Sequence, residues 1–141
     1  MSIEHSQKIR TNSNGQPATC LVTGATGYIG GRLIRELLLH GYRVWVFARN
    51  IERLTSYPWF GQVQVVEGDA SDEKAVAKAL DGVDVAYYLL HALMVRDDFE
   101  AEERSWAEIF SRCAKAQGVK RIIYLGGMAE SKSKLSAHLA S

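Results

Sequence analysis

Apolar and polar positions in this chain switch between two periods. Short apolar runs at residues 18–23, 42–48, 62–67, 83–90 and 121–125 are bounded by turn-forming residues. They read as strands, and the nearly unbroken run at 83–90 is what a strand covered on both faces requires. Between them the period becomes helical. Ile29, Leu33, Ile34, Leu37 and Leu38 share one face of a helix expected over 28–40, and Gly41 suits a left-handed cap at its end. A short helix is expected over 51–55, closed by Tyr57-Pro58, because the residue before a proline avoids helical backbone. Ser71 reads as the cap of a helix reaching Leu80, with Asp72 and Glu73 favourably placed in its first turn. Phe99, Trp106, Phe110 and Cys113 fall on one face of a long helix over 98–117, ended by Gly118. Residues 1–17 are polar and aperiodic, an expected mobile arm before a domain over 18–141. One short helix is expected near the end of the small, polar segment 126–141.

Nine elements alternate from strand to helix to strand with short connections. That pattern predicts an α/β fold: a doubly wound parallel sheet of five strands with helices on both faces. By analogy with dinucleotide folds of this kind, the strand order is 3-2-1-4-5.

The first strand runs directly into Thr23-Gly24-Ala25-Thr26-Gly27-Tyr28-Ile29-Gly30-Gly31. Gly24 stands where the chain must turn sharply. Gly27 would let the backbone approach a phosphate, and Gly30 and Gly31 would let the helix pack closely on the strand. Thr26 belongs to the same turn. The free N–H groups at the helix start, about Tyr28, Ile29 and Gly30, point at an anion with the helix dipole behind them. The spacing is G-x-x-G-x-x-G rather than G-x-G-x-x-G, so the strand before and the helix after carry much of the reading. The competing reading is a glycine-rich turn that binds nothing.

The segment LVTGATGYIGGRLIRELLLHGYRVWVFARN resembles the start of extended or atypical short-chain dehydrogenases/reductases. Two later strings, AYYLLHAL at 86–93 and IIYLGG at 122–127, resemble the NmrA-like, NAD(P)-binding branch. The likeness covers roughly residues 18–139. It implies a nicotinamide dinucleotide cofactor and a set of positions around it. Arg49 ends the second strand, where NAD-binding relatives carry an acid. An arginine there can pair with the 2′-phosphate of NADP, so NADP is expected over NAD. The competing reading is a solvated strand-end arginine, and Arg32 is a secondary candidate. Asp69, followed by Ala70, matches an aspartate beside the adenine in relatives; a local turn or cap role competes. Leu89 and Leu90 would line the cofactor, and His91 lies where the nicotinamide half would run, as lining or as an acid–base group.

The resemblance also exposes departures. The family's catalytic Tyr-x-x-x-Lys is absent, since no tyrosine has a lysine four residues on, and Gly126 and Gly127 stand where a serine is usual. The chain therefore reads as a cofactor-binding domain lacking its substrate part, with self-association expected through the surface so left. The leading function is the NADP(H)-binding domain of an oxidoreductase. The alternatives are a non-catalytic NADP-binding redox sensor or assembly module, or a remnant that binds nothing.

Composition removes other classes. With a net charge of +1, no broad attraction to nucleic acid or anionic lipid is implied. No apolar run approaches a membrane span, and the N-terminus does not read as a secretory signal. Cys20 and Cys113 lack metal-like spacing and read as reduced thiols of a cytoplasmic protein. No metal site is expected. The mixed charges from Glu100 to Arg112 read as a solvated helix face.

Overall fold

A computed structural model describes residue 11 and residues 15–24, 28–89 and 97–125. The order of elements is β1 (Thr19–Thr23), α1 (Tyr28–Leu39), β2 (Arg43–Ala48), β3 (Gln64–Glu67), α2 (Glu73–Leu80), β4 (Val85–Leu89), α3 (Asp97–Ala116) and β5 (Arg121–Leu125). Two short 3-10 turns, Ile51–Leu54 and Phe60–Gln62, lie between β2 and β3. The five strands form one parallel sheet in the order β3-β2-β1-β4-β5. This is the expected topology.

The sheet has a core on each face because strand side chains alternate. Cys20, Val22, Val44, Val46 and Leu89 point to the α1 side, where they meet Ile34 and Leu37. Leu21, Phe47, Ala86 and Tyr88 point to the other side, against Val76 and Leu80 of α2 and Phe110 and Cys113 of α3. Burying each of the larger side chains contributes about 1.5–3 kcal/mol relative to exposure. At the base of the sheet Asp84 ties three strands together. Its Oδ2 accepts from Thr19 N–H at 2.8 Å, its N–H donates to the Thr19 carbonyl at 2.9 Å, and its carbonyl accepts from Lys120 N–H at 3.0 Å.

Several boundaries differ from the sequence expectation, each for a local reason. Ser71 is not the cap of α2: Asp72 is, its Oδ1 accepting from the N–H groups of Lys74 and Ala75. The Ser71 hydroxyl donates instead to Asp69. β4 begins at Val85, since Val83 still bonds back to Leu80 as the end of a turn. β3 begins at Gln64 because Phe60–Gln62 is wound into a 3-10 turn. Ile29 is 41% exposed and does not join the buried face of α1, where Gly30, Ile34 and Leu37 do. Gly41 and Gly118 end their helices in the left-handed region, at φ of 86° and 78°, as expected. Of the expected arm, Thr11 and residues 15–17 are described: Gln16 accepts from Arg43 at 2.6 Å, and Pro17 bridges to Thr11.

Candidate functional site

In a doubly wound sheet the crevice beyond the strand C-termini opens where the chain order reverses, which here is beside β1. A cleft of about 420 Å³ lies there. Thr23 and Gly24 from the end of β1, Ala48, Arg49 and Asn50 from the end of β2, and Gly68, Asp69 and Ala70 from the end of β3 form its floor and rim. Arg53 and Trp106 reach it from the 51–54 turn and from α3.

Gly24 sets the shape of the crevice. Its φ is 91°, a conformation side chains avoid, and a Cβ placed on it would lie 2.6 Å from the Leu89 carbonyl oxygen. The two strands flanking the switch point therefore approach as closely as a bare backbone permits. Next to it, the Thr23 hydroxyl is buried with no hydrogen-bond partner among the described residues. A buried orphan hydroxyl at the mouth of a crevice is a polar group awaiting a partner.

The charges are concentrated at the ends of β2 and β3. Arg49 Nε lies 3.7 Å from Asp69 Oδ2, with the two side chains 74% and 46% exposed, so this is a weak, solvent-screened ion pair. Asp69 is held mainly by its own turn: Oδ1 accepts from the Ser71 N–H at 2.9 Å and from the Ser71 hydroxyl at 2.8 Å. Those bonds, and then Arg49, keep its carboxyl below the usual range. The local-turn reading of Asp69 therefore has direct geometric support, and it leaves Oδ2 facing the cleft arginine. Glu67, the other acid at this edge, accepts from Ile51 N–H at 3.1 Å through Oε2. Among the residues that line the cleft, two arginines stand against one aspartate, so the lining itself is cationic.

Of the residues singled out from sequence, Gly24, Arg49, Asp69 and Ala70 are brought together in this cleft. Leu89 is buried, with its carbonyl against Gly24. Gly30 is buried in the first turn of α1. Tyr28 is 76% exposed and lines a different cavity, with Arg32 donating to its hydroxyl at 2.9 Å. Thr26, Gly27, Leu90 and His91 lie outside the described residues. Sequence reasoning missed Arg53 and the Trp106 wall. Both carried a signal: Arg53 stands four residues after Arg49, and Trp106 one helical turn before the buried Phe110. Among the described residues, no group of His, Cys, Asp or Glu could hold a metal, and no helix is long and apolar enough to cross a membrane.

A family model described as NAD(P)H-binding matches residues 24–139. The chain is 31% identical over 116 residues to a 3 beta-hydroxysteroid dehydrogenase/Delta 5-->4-isomerase of Mycobacterium tuberculosis, covering 74% of this chain and 30% of that protein. It is 31% identical over 110 residues to sterol demethylase protein B of Methylococcus capsulatus, covering 75% and 33%. The chain thus spans about a third of the length of these curated relatives. Among solved structures, the Citrobacter sp. triphenylmethane reductase complexed with NADP(H) matches with a TM-score of 0.67 at 29% identity, over 86% of this chain and 43% of that one. An NADPH-dependent quinone oxidoreductase from Escherichia coli matches with a TM-score of 0.59 at 26% identity, over 74% and 34%.

Proposed function

This chain belongs to the NAD(P)H-binding family, and from that premise we propose that its cleft holds the adenosine half of the cofactor and takes NADP(H) in preference to NAD(H). It is an NAD(P)-binding domain of the kind found in oxidoreductases related to short-chain dehydrogenases. The bound cofactor would supply hydride-transfer chemistry; the residues of this chain bind and orient it. The residues present fit such a group. Gly24 gives the backbone close approach, and the cationic edge suits a phosphate. The orphan Thr23 hydroxyl offers a hydrogen bond.

The observation that carries the preference is that Arg49 and Arg53 line one cleft at the end of β2 while the neighbouring Glu67 is bonded to Ile51. A 2′-phosphate carries nearly two negative charges and accepts well from guanidinium forks. Arg49 would exchange its exposed contact with Asp69 for that phosphate. A hydrogen bond to a charged group contributes about 1.5–3 kcal/mol, roughly 10- to 150-fold in affinity. Because Arg49 is exposed and already paired, its effect belongs at the lower end, about tenfold.

Trp106, half-buried on the cleft wall, offers a flat apolar surface for the adenine. Gly27, Thr26, Tyr28, Ile29 and Gly30 are proposed to receive the pyrophosphate through backbone N–H groups, and Leu90 and His91 to border the nicotinamide half. Calorimetric titration with 2′,5′-ADP and with 5′-AMP isolates the adenosine end. Wild type should prefer 2′,5′-ADP. Arg49→Ala should weaken 2′,5′-ADP about tenfold and leave 5′-AMP nearly unchanged. Equal losses for both ligands would make Arg49 structural, and a wild-type preference for 5′-AMP would overturn the reading.

A further inference from the structure

A second cavity, of about 690 Å³, shares no lining residue with the first. It lies between one flank of α1 and the 57–62 segment. That size is in the range of small-molecule sites. Its base is aromatic: the Tyr57 and Trp59 rings stack with centroids 5.1 Å apart and an interplanar angle of 9°. Leu38 adds to the apolar wall. Trp59 is only 5% exposed, and its indole N–H has no acceptor among the described residues. It lies near Gly31, where an added Cβ would stand 3.8 Å from Nε1. Arg32 and Arg35, one turn apart on α1, line the same cavity, and no carboxylate of the described residues pairs with either.

We propose that this cavity binds a small aromatic carboxylate, its ring system against the Tyr57–Trp59 stack and its carboxylate on Arg32 and Arg35. Three independent features select that chemistry. The flat, apolar base calls for an aromatic body. The two guanidinium groups call for an anion that accepts in a fork. An indole N–H is a donor only, so its missing partner must be an acceptor.

The test is calorimetric titration of the purified protein with 2-naphthoate, repeated with saturating NADPH and with neutral 2-naphthamide. Saturable 1:1 binding of naphthoate is expected, unchanged by NADPH and weaker for the amide. Arg32→Gln/Arg35→Gln should weaken it at least about tenfold. Both residues are exposed helix positions, so the double variant tests the site without threatening the fold. Trp59→Phe, which keeps an aromatic ring and removes the N–H, should weaken it as well. No saturable binding would overturn the proposal. So would binding that NADPH displaces or that survives the double arginine substitution. The naphthoate titration needs no cofactor, so its failure is distinct from failure of the NADP reading.

Discussion

Gly24→Ala is the substitution for which the structure makes the sharpest demand. Two costs are superimposed there. Left-handed backbone costs an L-residue roughly 1–2 kcal/mol. The added Cβ would also stand 2.6 Å from the Leu89 carbonyl oxygen and 3.0 Å from its Cβ. The oxygen is backbone in a central strand, so relief requires β1 and β4 to part, at an overpacking cost of about 1–3 kcal/mol. The sum is about 2–5 kcal/mol, a large share of a typical stability of roughly 5–15 kcal/mol. At an unfolding entropy of about 2.1 cal/mol/K per residue, each kcal/mol moves Tm by about 3.4 °C for a chain of this size, so the loss is roughly 7–17 °C. Gly118→Ala supplies the internal control. Its φ is also positive, at 78°, but a Cβ there meets nothing within 4 Å. It should lose only the backbone part, about 1–2 kcal/mol. Thermal unfolding followed by circular dichroism, with calorimetry, gives both values. If the two variants lose the same stability, the close approach of β1 and β4 at the crevice is wrong.

Three further outcomes follow from individual contacts. Asp72→Ala removes both cap bonds of α2 and should cost about 0.5–2 kcal/mol, whereas Ser71→Ala should cost less; the reverse order in denaturant unfolding would restore Ser71 as the cap. Burial, with the Asp84 charge adding to it, pushes the Cys20 thiol up to about 12. Its neutral form is thus favoured by folding, a contribution complete below the thiol's ordinary value near 9 and lost as pH rises toward 12. Native protein at pH 8 should therefore leave Cys20 unlabelled by a thiol reagent, and Cys20→Ala should flatten the alkaline fall in stability; rapid native labelling of Cys20 would contradict its placement. Arg112 holds Glu73 through bonds of 3.1 and 3.3 Å, keeping the Glu73 carboxyl below its usual range. That small, exposed contribution is present above the ordinary carboxylate value and lost as pH falls through the lowered one. The stability gap between wild type and Arg112→Ala should close in acid, and a gap that persists there would point to packing instead.

The sequence by itself determined the fold. Apolar runs in strand period, separated by helical-period segments, call for a doubly wound parallel sheet with a two-sided core, while the strand order is expected by analogy with dinucleotide folds. It also determined that a glycine must follow β1 and that Arg49 and Asp69 end neighbouring strands. These are local facts, carried by turn chemistry and by position along a strand. Tertiary structure decided what meets across the chain. Gly24 faces Leu89, 65 residues away, and no local pattern records that the reason for the glycine is a carbonyl on another strand. Trp106 looked like one more apolar position of a long helix, yet it ends as a wall of the cleft because α3 runs past the ends of β1 and β2. Asp72 rather than Ser71 caps α2, since two adjacent capping residues differ only in which side chain reaches the free N–H groups. Arg32 and Trp59 belong to elements that meet only when α1 lies on the sheet beside the 57–62 segment. Periodicity fixes which face a residue shows to its own sheet or helix; chain folding in three dimensions fixes which distant residue stands opposite it.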